Sequence, residues 1–186
     1  MIQYDLYKIV KEELRNGSCD LVTRTSGQTI RNRIERDIAR EEDRMVVALD
    51  FSKIGIIAYS CADEVVAKLI SRLLGGEYGD KYILLRGLNE NQRENIEVAL
   101  ERKGLAVMDD MKKEGRILLG NINNYLRQTL DLILEKERMT AKELSDTLDL
   151  EANTSGTRLL NLHKKRLVKR TEKIVNGVRV WMYESV

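Results

Sequence analysis

The sequence predicts an α/β protein in two domains, residues 1–120 and 121–186. In the first two-thirds of the chain, apolar runs of strand length alternate with amphipathic stretches of helical length. That alternation implies a sheet packed against helices. The last third instead reads helix, turn, basic helix and two-stranded hairpin. Charge divides along the same line. Residues 1–150 hold 24 Lys and Arg against 27 Asp and Glu, whereas residues 151–186 hold 8 against 3, so a net charge of +2 conceals a basic C-terminal module.

From the N-terminus, Ile2, Leu6, Ile9, Val10 and Leu14 predict a short amphipathic helix over residues 2–15, ended by Asn16-Gly17. A short strand follows at Leu21-Val22-Thr23. Thr25-Ser26-Gly27 opens a helix to about Arg40, in which Ile30, Ile34 and Ile38 recur every four residues. The run Met45 to Phe51 is expected to form a strand buried on both faces. A second apolar stretch, Ile54 to Ala58, leads into a helix from Cys61 to Leu74 that stops at Gly75-Gly76. Tyr82 to Leu85, Leu105 to Met108 and Arg116 to Leu119 read as strands, and Asn91 to Lys103 as a helix. Polar stretches at Lys112 to Gly115 and Gly120 to Asn124 are the places where two domains can part, and the boundary is set near Gly120. Asn123 to Arg138, with Leu126, Leu130, Ile133 and Leu134 on one side, is the first helix of the second domain and also a candidate strut or dimerisation surface.

Within that domain Thr140-Ala141-Lys142-Glu143 has the form of a capping box, in which threonine and glutamate each satisfy amides at a helix start. Leu144 and Leu148 follow at helical spacing. A turn through Glu151 to Asn153 precedes a helix from Thr154, with Leu159, Leu162 and Leu167 on its buried side and a polar, basic opposite side. Lys173 to Val180 alternates around Asn176-Gly177, a dipeptide that favours a type I′ hairpin turn. Helix-turn-helix followed by a hairpin is a winged helix, a module that usually binds duplex DNA.

Residues 123–186 accordingly resemble the winged helix-turn-helix of bacterial and archaeal transcriptional regulators. Thr140 to Leu144, Leu159-Asn161-Leu162, Leu167-Val168-Lys169-Arg170 and the Asn176-Gly177 turn carry the likeness. Where most such regulators have glycine before the final Leu-Val, this chain has Arg166. Residues 20–120 resemble a STAS-like domain of prokaryotic stress and defence neighbourhoods. The likeness is carried by Ser26-Gly27-Gln28-Thr29-Ile30-Arg31, Leu49-Asp50-Phe51-Ser52, Ala62-Asp63-Glu64, Tyr82 to Asn89 and Leu118-Leu119-Gly120. That domain is similar to anti-sigma-factor antagonists, in which a serine at a helix start is phosphorylated. The equivalent stretch here, Ile57 to Asp63, lacks the Asp-Ser-Ser-Gly sequence of those proteins. The resemblance implies a binding module, with a protein such as a kinase-like ATPase as its partner.

Arg158 and Asn161 share a helix face and are candidates for base contacts with guanine and adenine, against plain phosphate or solvent contact. Thr154, Ser155 and Thr157 lie near the helix start, where hydroxyls and free amides suit phosphate contacts or capping. Lys164, Lys165, Arg166, Lys169 and Arg170 add non-specific attraction to phosphates, and Lys173 and Arg179 flank the hairpin. Trp181 and Tyr183 are expected beneath the hairpin as core. Ser60 is a candidate regulatory phosphosite or an N-cap. Asp50, at the end of a strand, is a candidate ligand contact or a turn residue. Asp63 and Glu64 are consecutive, so a helix would point them apart. His163, the one histidine, has no acid partner in its helix.

No catalytic triad, metal-ligand spacing or nucleotide loop is read, so a non-enzymatic protein without cofactor or metal is expected. The alternatives are a protein-interaction module and a small-ligand-sensing regulator. Two isolated cysteines, Cys19 and Cys61, suit a reducing cytoplasm. Neither a membrane span nor a signal peptide is expected. Double-stranded DNA is the expected partner, read by a homodimer.

Overall fold

A computed structural model describes residues 1–14, 18–111, 115–175 and 177–186. The helix stop expected at Asn16-Gly17, most of the polar stretch 112–115 and the Asn176 half of the hairpin turn lie outside these residues. The chain forms two compact units, Met1–Asn121 and Ile122–Val186. Among the described residues no helix is long and apolar enough to cross a membrane.

Unit 1 is a five-stranded sheet with helices. Its elements run β1 (Ile2–Asp5), α1 (Leu6–Leu14), α2 (Arg24–Ile38), β2 (Val46–Asp50), α3 (Tyr59–Ala62), a π-helical segment (Asp63–Lys68), α4 (Leu69–Leu74), β3 (Tyr82–Arg86), α5 (Glu90–Glu101), β4 (Ala106–Asp110) and β5 (Arg116–Gly120). The strands lie side by side in chain order. The first three pairings are parallel and β4–β5 is antiparallel. Parallel neighbours need crossover connections, which the helices supply. One core joins Val47, Leu49, Ile83, Leu85, Val107 and Leu119 to Leu6, Ile34, Val66, Leu69 and Ile96, so every helix of the unit contributes to the same side. The alternate residues of the strands, Val46, Ala48, Leu84 and Met108 among them, are apolar as well.

Two sequence expectations change here. Residues 2–15 are not one helix. Ile2 to Asp5 pair in register with Val47 to Asp50, and Asp5 Oδ1 then accepts the amide of Tyr7 at 3.0 Å, which starts α1 at Leu6. Ile2 and Leu6 fit helical spacing by coincidence; the strand period of Ile2 and Tyr4 wins because both pack on the core. The strand expected at Leu21 to Thr23 is reduced to a bridge between Leu21 and Ile57. Thr23 is instead the N-cap of α2, accepting from the amide of Ser26 at 3.2 Å, so the chain turns into helix.

Unit 2 runs α6 (Asn124–Lys136), β6 (Arg138–Thr140), α7 (Ala141–Leu148), α8 (Ala152–Lys164), β7 (Val168–Val175) and β8 (Val178–Ser185). Its antiparallel sheet has the order β6-β8-β7. The three-residue strand β6 is not apparent in the sequence; it pairs Met139 with Tyr183. Both bonds of the capping box form: Glu143 N–H donates to Thr140 Oγ1 at 3.2 Å, and Thr140 N–H donates to Glu143 Oε2 at 2.7 Å. Leu126, Leu130, Ile133, Met139, Leu144, Leu159, Leu162 and Val168 are buried. Gly177, described without its neighbour Asn176, has φ +78°, as a hairpin turn of the primed type requires.

Candidate nucleic-acid interface

The second helix of the α7–turn–α8 pair presents one stripe to solvent. Asn153, Thr157 and Lys164 are exposed and Asn161 is half-buried between them, a spacing that keeps the four on one face. Ser155, Leu159 and Leu162 form the opposite face and are buried. Ser155 is therefore withdrawn from the DNA-contact set. Its side chain is fully covered because it falls in the same helical row as the two leucines.

The helix also opens earlier than expected. Glu151 occupies the N-cap without a side-chain bond, and α8 begins at Ala152, so Thr154 is a first-turn residue and not a cap. Thr157 donates its hydroxyl to the Asn153 carbonyl at 2.8 Å.

Four of the expected residues come together in one shallow cleft of about 450 Å³: Thr154, Thr157, Arg158 and Asn161, joined by Asn153 and by Tyr125 from the first turn of α6. The Arg158 guanidinium lies 5.4 Å from the Tyr125 ring centroid. Its Nη1 is buried without a hydrogen-bond partner among the described residues. Tyr125 was not singled out in the sequence. Only its place on α6, packed against α8, brings it to the cleft.

The basic residues differ in what holds them. From residue 152 to residue 171 there is no Asp or Glu, while Arg158, Lys164, Lys165, Arg166, Lys169 and Arg170 fall in that span. Among the described residues, no ion pair engages Lys164, Lys165 or Lys173. Lys169 pairs across the sheet with Glu184 at 3.6 Å, and Arg179 with Glu172 at 3.5 Å, so their charge is partly neutralised. His163 Nδ1 lies 3.3 Å from the Val168 carbonyl. Arg170 stacks on Trp181, 3.7 Å from its ring centroid, and lies 5.8 Å from that of Tyr183. Tyr183 is core, as expected, and burial raises its pKa while Arg170 opposes the rise. Trp181 is not core: it is 45% exposed, because on the central strand β8 it extends beyond the part that the helices cover.

The two candidates in unit 1 are committed to local structure. Ser60 is one residue inside α3, whose N-cap is Ala58, and its hydroxyl donates to the Val22 carbonyl at 3.1 Å. Asp50 accepts from the Ser52 amide at 2.9 Å and from Gln3 Nε2 at 2.6 Å. Asp63 and Glu64, expected to diverge, both accept from Arg24 Nη1, at 3.1 and 2.9 Å. The wider π turn at Asp63–Lys68 changes their angular separation. No protein-family model matches the chain, and no curated protein matches it in sequence.

Proposed function

We propose that unit 2 is a winged helix-turn-helix that binds duplex DNA, with α8 in the major groove and the β7–β8 hairpin as its wing. The observation that carries this reading is the solvent stripe Asn153, Thr157, Asn161 and Lys164, set in a stretch of chain without a single acidic residue. Amides and hydroxyls on such a stripe suit base edges, and unpaired lysines suit phosphates. Arg158, held against Tyr125 beside Asn161, is the sharpest candidate for a guanine contact. Lys164, Lys165 and Lys173 supply sequence-independent attraction. One such module spans few base pairs, so specificity calls for a dimer reading two half-sites. Unit 1 is then a STAS-like domain for sensing or assembly, and the protein is a transcriptional regulator, not a catalyst.

The test is binding of the whole protein to the DNA upstream of its own gene, titrated with salt and set against random duplex. Salt-steep binding with a clear preference for the upstream DNA is expected. Absence of binding at low salt would overturn the reading in favour of a protein partner for the basic face.

A further inference from the structure

Unit 2 encloses a second concavity, unrelated to the stripe on α8. It lies between α7, the flank of α8 and β8, and has a volume of about 600 Å³. Leu160, Val180, Met182, Trp181 and Tyr183 line it. Cavities of this size with an apolar, aromatic lining suit small organic molecules. Trp181, the one tryptophan, stands half-open at this surface, leaving a large aromatic ring that the fold does not cover.

The polar groups of the cavity narrow the ligand. Two cations line it, Lys142 on α7 and Arg170 on β7; Arg170 is stacked on Trp181, and no carboxylate among the described residues forms an ion pair with it. Its Nε is buried without an acceptor. That nitrogen is closed to a ligand, and it is the terminal nitrogens of the guanidinium that match a carboxylate in plane and spacing. The α7 side carries Glu143 and Asp146 beside Lys142, and Glu143 is held by its capping bonds to Thr140. With two cations against two carboxylates the lining has no excess positive charge to favour a polyanion such as a nucleotide. A molecule with one carboxylate and an apolar body meets Arg170 at one end and the rings and leucine along its length.

We propose that this cavity binds a monoanionic organic carboxylic acid with an aromatic body, its carboxylate on Arg170 and its ring between Leu160 and Trp181. The site rests on the geometry of unit 2 alone, so it stands whether or not the DNA reading does.

The test uses the full chain labelled with nitrogen-15, in which the single tryptophan gives one indole N–H signal. 2-Naphthoate is titrated as probe, with neutral 2-naphthylmethanol as its control. The acid is expected to shift the indole signal saturably and to bind about tenfold or more tightly than the alcohol. Arg170→Met, with its backbone amide spectrum otherwise preserved, is expected to reduce the acid to the affinity of the alcohol. No saturable shift with the acid, or equal affinity for acid and alcohol, would overturn the proposal. The acid–alcohol comparison on the unmodified protein decides the matter even if Arg170→Met does not fold.

Discussion

Arg31 Nη1 donates to Glu64 Oε2 at 2.5 Å, linking α2 to the π-helical segment in unit 1 through two side chains that are both nearly inaccessible to water. Lys68 and Arg24 complete the ring of cations around the same carboxylate. Burial disfavours the ionised form of Glu64, but Lys68, Arg31 and Arg24 outweigh it, and the pKa is lowered. Removing one member of a buried pair leaves the other uncompensated, at a cost of about 3–5 kcal/mol. Glu64→Gln is therefore expected to destabilise the protein by that order at neutral pH. A depressed folded pKa gives stability that is present above the unfolded value and lost as pH falls through the folded one. Urea unfolding of both proteins should accordingly show the gap narrowing in acid below about pH 4. A gap that is small at pH 7, or unchanged in acid, would dismiss this account.

Asp109 shows the opposite sign. It is buried on β4, bonded to Arg93 Nε at 3.0 Å, and its Oδ1 has no partner among the described residues. Burial raises its pKa, Arg93 works against the rise and Asp110 adds to it. The folded state therefore favours the proton, and Asp109 makes the protein less stable as pH rises from the unfolded pKa to the folded one. Asp109→Asn carries no such dependence. Relative to the unmodified protein, the variant is expected to gain stability as pH rises from the ordinary aspartate value of about 4 through the raised folded one. Unfolding midpoints that stay at a constant offset across that range would rule the effect out.

These two carboxylates also mark where the sequence stops being readable. Features set by a few adjacent residues were legible: the capping box at Thr140 and Glu143, the strands β2 to β5 and the face of α8 that carries Leu159 and Leu162. The strand β1 was not, because four residues of alternation at Ile2 to Asp5 merge with the helical period of α1. Nor was β6, whose three residues are strand only through their pairing with β8. The convergence of Asp63 and Glu64 on Arg24 depends on a π turn, which has no local signature there. In the candidate interface, Arg158 and Asn161 could be named from spacing. Tyr125 and the exposure of Trp181 depend on which surfaces the packing leaves open.

Arg166 turns a departure in the sequence into a measurable strain. It follows α8 with φ +59°, in the left-handed region where glycine is at ease. For other L-residues that conformation costs about 1–2 kcal/mol. Its amide bond to the His163 carbonyl at 2.9 Å belongs to the backbone and survives substitution. Arg166→Gly is expected to stabilise the chain by about 1 kcal/mol net of lost side-chain contacts, raising Tm by about 2–4 °C. Calorimetry showing a lower Tm would mean that those contacts outweigh the strain.

The proposed interface separates three kinds of residue by their effect on binding. Arg158 lies in the cleft with Asn161, so Arg158→Ala is expected to weaken a preferred duplex more than a random one. Lys165 has no ion pair among the described residues and no partner in that cleft. Lys165→Ala should weaken both duplexes alike and reduce the salt slope by about one. Ser155 is the internal control. Its buried hydroxyl has no partner among the described residues, so Ser155→Ala should cost no stability and leave both affinities unchanged. Fluorescence anisotropy with labelled duplexes at several salt concentrations measures all three. Equal losses on both duplexes for Arg158→Ala would remove its base contact, and a selective loss for Ser155→Ala would contradict the inward face of α8.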